Sequence, residues 1–515
     1  MIKNIKWLLL VSLTFVACNS DEEDTSGVVP EVPVTAGTAD FSNYVSLGNS
    51  ITAGYADGAL FMAGQANSYP KLLSDQFALV GGGPFTIPYM NDNIGGLVVG
   101  GFQIQGTRLI FNGSAPVNLP GTPTTDVLNH LTGPFNNLGV PGAKSFHLLA
   151  NGYGNIAGVL SGQANPYFVR FATSSSTTVL ADALAQNPTF FSLWIGNNDV
   201  LSYALSGGTG TNQTGNMNPA TYGSNDITDP TAFAGVYSTL LDGLTSNGAK
   251  GVVANIPYVS AVPFFTTVPV KAIPELPVSD AAQLNQLFGA INQITTALGQ
   301  PNRFVELIAD DSNPLTSGKN PLLINDETLP DLSTYITATL TPVLGGPTAT
   351  YVGGLYGRAR HARLTTGDRD YILLTASSII GTNQAGAPSP FNIIGISNPM
   401  QDNRTLTAAE VAEIKTAVDA YNISIKALAD AKGLAYVDAN TALNDVADGG
   451  VIFDNFHMTS DFVKGGAFGL DGVHPSARGQ AYIANKFIEA INAKYGSTLR
   501  KYKAQDFPLS YPAGL

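Results

Sequence analysis

The sequence predicts an α/β protein: a central parallel sheet of about four or five strands wrapped by helices and interrupted by two large insertions. Three observations carry this expectation. Short β-rich apolar runs recur along the chain, each closing on Gly, Pro, Asn or Asp. Between them lie stretches with helical spacing or helix-start residues, as the crossovers of a parallel sheet require. Two long stretches, about 81–134 and 257–404, break that rhythm without any internal repeat.

The first run, residues 44–47, reads as a short strand, and Ser68 with Pro70 two residues later marks a helix start. Residues 178–186 look helical, and 189–195 form a β-rich run between Pro188 and Gly196. A helix over 230–247 leads to a buried strand, 251–256, that stops at Pro257. Inside the second insertion, 281–298 is the one helix-like piece. Residues 406–432 predict a long amphipathic helix with Val411, Ile414, Val418, Ile423 and Leu428 on its apolar side. A strand at 434–438 and a final helix at 476–494, with Ala481, Ile483, Phe487 and Ile491 inward, complete the series.

Composition sets the limits. The 515 residues are 44% hydrophobic and 12% charged, with 55 Gly and 31 Pro, which describes a loop-rich globular chain and excludes a disordered one. The net charge of −13 is spread thinly and forms no basic stripe, so nucleic acid is not an expected partner. Acidic surface weakly favours neutral over anionic substrates.

Residues 1–17 have the form of an export signal: Lys3 and Lys6, an apolar stretch over 7–16, then Ala17 before Cys18. Cys18 is the only cysteine, so no intrachain disulfide is possible. Leu13-Thr14-Phe15-Val16-Ala17-Cys18 resembles a bacterial lipobox, which implies lipidation of Cys18, a membrane anchor and an exported, outer-membrane lipoprotein. Residues 18–40 follow as a flexible tether. Its acidic start, 19–24, resembles a surface-export signal and reads equally well as a solvated linker. The folded domain is expected over 41–500, with a C-terminal tail over 501–515.

Four segments carry chemistry. Ser50 sits directly after the first strand, where open α/β sheets place their sites. Asn137-Leu138-Gly139-Val140-Pro141-Gly142 ends a strand in a glycine turn whose backbone N–H groups can approach a developing oxyanion. Gly196-Asn197-Asn198-Asp199 ends another strand, and the Asn198 amide can donate to negative charge without ionising. Asp471-Gly472-Val473-His474 allows a carboxylate to hold an imidazole, which in turn can take the proton of a serine. Asp454-Asn455-Phe456-His457 has the same spacing and is a rival; His474 is preferred because Pro475-Ser476 then opens a helix that fixes the loop. His130, His147 and His361 lack a matching acid.

Taken together and in this order, the four segments resemble the SGNH, or GDSL, hydrolase family of esterases and lipases. The resemblance covers about 41–495 and implies a three-layer α/β/α, flavodoxin-like fold. It also implies Ser50 as nucleophile, Gly142 and Asn198 with the Ser50 N–H as oxyanion donors, and Asp471 and His474 completing the triad. Carboxylic ester hydrolysis through a covalent acyl-enzyme is the expected activity, on lipid or short acyl esters. A carbohydrate acetylesterase of the same fold, or a catalytically silent surface binding module, are the alternatives. The chain departs from the family at Asn49, where aspartate is usual, and in length, so substrate choice does not carry over. No cofactor and no metal is implied, since no clustered ligand set or phosphate-binding loop is present in the sequence.

Overall fold

Five short strands, β1 (Tyr44–Gly48), β2 (Asn137–Gly139), β3 (Phe190–Trp194), β4 (Lys250–Ala254) and β5 (Ala435–Val437), form one parallel sheet in the order 2-1-3-4-5. This is the computed structural model of the chain, which describes residues 33–313 and 317–515. The expected export signal, Cys18 and most of the expected tether lie outside them. β1, β3 and β4 read as largely apolar runs because both faces of the sheet are covered: Val45, Leu47, Phe190, Phe191, Val252 and Val253 have no exposed surface.

The covering helices are α1 (Ser50–Ala53), α2 (Tyr69–Ala78), α3 (Val179–Leu184), α4 (Asn198–Leu205), α5 (Pro230–Thr245), α6 (Ala408–Ala431) and α7 (Ala477–Tyr495). α2 packs on α7, while α5 packs on both α3 and α6, so the sheet lies between two helical groups. Their starts are written in the sequence. Thr178 caps α3, Asp229 caps α5, Ser476 caps α7, and Thr407 with Glu410 forms a capping box on α6. One expected position fails: Ile423 is 71% exposed. Five residues from Val418 is about 140° round a helix, and the buried stripe of α6 runs instead through Ile414, Val418, Tyr421, Ile425 and Ala429. Among the described residues, no helix is long and apolar enough to cross a membrane.

The two insertions are folded. The first holds two small antiparallel hairpins, Leu97–Val99 with Phe102–Gln105 and Leu109–Phe111 with Pro116–Asn118. The second has a hydrophobic core of its own around Phe288, Ile291, Leu323, Val352 and Tyr356. Its helix Val278–Ala297 matches expectation; the helical pair Ser333–Leu344 and Gly346–Tyr356 was not expected. That pair is rich in Thr, Gly and Pro, poor helix formers on their own, and is held by packing one helix on the other and on the shared core.

Both expected loose ends are partly docked. Thr35 and Thr38 donate their N–H groups to Thr498 Oγ1 and the Tyr495 carbonyl, each at 2.8 Å, which ties residues 33–40 to the far end of α7. The expected tail also belongs to the body. Arg108, with no exposed surface, donates to the Pro512 carbonyl at 2.6 Å, and Tyr511 packs edge-on against Phe61. A buried guanidinium needs acceptors, and these residues supply them.

Candidate active site

β1 ends at Gly48, and the chain turns at once into α1. Asn49 makes the turn: its Oδ1 accepts from the Ile51 N–H at 3.0 Å and its Nδ2 donates to Asn197 Oδ1 at 3.0 Å. Gly48 is required here, because a Cβ would fall 2.5 Å from the Trp194 carbonyl oxygen of β3. Ser50 is thereby placed at the carboxyl end of the sheet, between β1 and β3, where the strand order reverses.

The chain brings Asp471 and His474 to the same point. His474 Nε2 lies 2.9 Å from Ser50 Oγ, and His474 Nδ1 lies 2.8 Å from Asp471 Oδ2. A carboxylate can only accept, so Nδ1 carries the proton and Nε2 presents a lone pair to the serine hydroxyl. The Val473 and His474 N–H groups both donate to Asp471 Oδ1 at 2.9 Å, and Gly58 N–H donates to Oδ2 at 2.8 Å. Burial works against the charge on Asp471, but the His474 ring and these hydrogen bonds outweigh it and hold the carboxyl below its ordinary range.

Asn198 opens α4 and is 8% exposed; its Nδ2 donates to the Ala143 carbonyl at 2.9 Å and retains a second N–H. That bond seats the Val140–Ala143 turn, in which Gly142 has φ +80° and lies at the surface. Among the described hydrogen bonds, neither the Ser50 nor the Gly142 N–H donates to a protein acceptor. Two stitches, one of them the Asn49 bond already described, hold the three strand ends together. Asn197 accepts from Asn49, and buried Asp199 accepts from the Ser145 N–H at 2.8 Å and its hydroxyl at 2.7 Å.

Sequence reasoning missed the segment that backs the dyad. Tyr55 lays its ring 4.5 Å from the His474 ring, centroid to centroid, and Asp57 Oδ1 accepts from the Leu470 N–H at 2.7 Å, one residue before Asp471. Burial pushes the Asp57 carboxyl up to about 7, with the nearby Asp471 charge acting the same way. The only hint was a polar, glycine-flanked Tyr-Ala-Asp-Gly run just after the serine.

The rival pair does not reach the site. His457 is the exposed residue of a hairpin, Val451–Phe453 with Phe456–Met458, and its Nε2 meets the Gly449 carbonyl at 2.8 Å. His130 Nε2 meets the Ala172 carbonyl at 2.9 Å; His147 and His361 are pushed down to about 4 by burial and each accepts a backbone N–H through Nδ1.

Beside the serine opens an apolar cavity of about 120 Å³. Ser50, Asn198 and His474 line it on one side; Val259, Val262, Leu443, Met458, Phe468 and Ile483 line it elsewhere. Val262 lies in the apolar run 261–265, and Phe265 of the same run is buried in the core. The arrangement offers a hydroxyl in hydrogen-bond contact with an imidazole, backbone and amide N–H groups nearby, and an apolar slot beside it. Among the described residues the group able to hold a metal ion, Glu327, Asp402 and Glu410, contributes nothing to this cavity. Comparison of the chain with family models, with curated proteins and with solved structures gave no match.

Proposed function

We propose that this chain is a serine hydrolase of the SGNH/GDSL kind, cleaving carboxylic esters with an apolar acyl group through a Ser50 acyl-enzyme. What carries the reading is the unbroken relay from Asp471 to His474 to Ser50, at 2.8 and 2.9 Å, across more than four hundred residues of chain. His474 takes the Ser50 proton as the oxygen attacks the ester carbonyl, then returns it to the departing alcohol; a water activated by the same ring frees the acid. Asp471 holds the tautomer. The free N–H groups of Ser50 and Gly142 and the second N–H of Asn198 receive the oxyanion. The parallel sheet, with its order 2-1-3-4-5 and helices on both faces, supports a flavodoxin-like assignment.

The cavity favours an acyl chain over an acetyl group on a glycan, because an apolar slot adjoining a nucleophile gains from burying methylenes and offers a sugar few partners. Stoichiometric labelling by a fluorophosphonate, lost in Ser50→Ala, tests the chemistry; folded protein that takes no label is a binding module. Rates on a chain-length series of acyl esters against acetylated xylan test the substrate class. Faster deacetylation of xylan rejects the acyl-chain reading and leaves the hydrolase standing.

A further inference from the structure

The junction between the second insertion and the α/β body gathers three carboxylates that the chemistry of Ser50 does not use. Glu327 and Asp402 come from the insertion, Glu410 from the first turn of α6, and one oxygen of each lies within 4.8 Å of the others. Six-coordinate or larger oxygen shells about Ca²⁺ have metal–oxygen distances near 2.4 Å, so ligands on opposite sides of one ion stand about 5 Å apart. The spacing therefore fits a shared ion.

Proximity of acids alone is not a site, and the second observation is at Glu410. This side chain is 3% exposed, and its Oε2 is taken by the Thr407 N–H and hydroxyl at 2.6 and 2.9 Å. Its Oε1 is buried and, like Asp402 Oδ1, meets no hydrogen-bond donor; both side chains instead lie against the Glu327 carboxyl. Gly208 makes room for Oε1: a Cβ there would come within 1.7 Å of it. Among the described residues none of the three carboxylates is ion-paired. Arg360 is committed to Asp326 and Asp370, and Arg358 donates to the backbone carbonyls of Glu327 and Leu329. Bare negative oxygens in such a place are costly, and a bound cation removes that cost.

We propose that Glu327, Asp402 and Glu410 bind a hard divalent cation, with Ca²⁺ the best fit, and that the ion fastens the second insertion to α6. The donors are all oxygen, which selects Ca²⁺ or Mg²⁺ over zinc or copper, and three ligands from remote segments suit the looser geometry of Ca²⁺. The fastening reaches toward the catalytic face, because Gly207 and Gly208 follow the end of α4, the helix that begins at Asn198.

The test uses the full chain stripped with EDTA, wild type beside Asp402→Asn and Glu327→Gln, by thermal unfolding and calorimetric titration with CaCl₂ and MgCl₂. The expected result is one Ca²⁺ per chain, a Tm that rises with Ca²⁺ in the wild type, and no rise in either variant. Metal-free variants should melt above metal-free wild type, since each removes like-charge repulsion, and this shows that they fold. No Ca²⁺ effect on the wild type, with Tm rising instead on mild acidification, overturns the proposal in favour of carboxyls sharing protons. An equal Ca²⁺ effect in the variants overturns it too.

Discussion

At Asn198 one amide has two tasks. One N–H fixes the turn carrying Gly142, and the other is the one the proposed mechanism assigns to the oxyanion. Asn198→Ala should therefore lower kcat about 10²–10³-fold with little change in KM, measured by steady-state hydrolysis of a soluble acyl ester. Asp57 makes a different prediction. Its folded pKa of about 7 lies above an unfolded value near 4, so its contribution to stability is complete below about pH 4 and is lost as pH rises through 7. Asp57→Asn, which keeps an acceptor for the Leu470 N–H, should raise Tm at pH 8 and leave it nearly unchanged at pH 4. Equal shifts at both pH values would remove the charge from the explanation. Ser50, Asn198, Asp471 and His474 were legible because each lies in a short turn whose geometry is local. Asp57 and Gly58 were not, because their partners, Leu470 and Asp471, are 413 residues away.

Among the elements, the loop that carries the dyad is clamped from both sides. α7 starts directly after it at the Ser476 cap, and Gly472 accepts through its carbonyl from the Phe264 N–H at 2.9 Å. Gly472 has φ +70°, and a Cβ there would meet Leu374, Phe264 and Phe462 at 3.2–3.4 Å. Gly472→Ala should cut kcat at least about tenfold through backbone strain of about 1–3 kcal/mol, whereas Gly433→Ala, at φ +66° but in open space, should cost stability alone. Comparing kcat and Tm of the two variants separates displacement of the dyad from ordinary glycine strain. The elements themselves were readable wherever periodicity and a cap coincided, as at α6 and α7. Helices Ser333–Leu344 and Gly346–Tyr356 escaped because their stability comes from each other.

For the whole molecule, the strand ends, Leu443 and α7 enclose one slot, and under the proposed function that slot sets substrate choice. Leu443→Trp should shorten the longest acyl chain accepted, lowering kcat/KM about tenfold for long-chain esters while sparing acetate, as a chain-length series of chromogenic esters will read. Leu443 could not be picked out from sequence, since the slot is assembled from segments spread over the whole chain. The docking of Thr35 and Thr38 has a further consequence. α7 is 19 residues long, about 28 Å, with its beginning beside His474 and its end at Tyr495, where those threonines attach. The described chain therefore enters the body at the pole remote from Ser50. A support attached ahead of residue 33, as the lipobox resemblance implies, would leave the opening beside Ser50 uncovered.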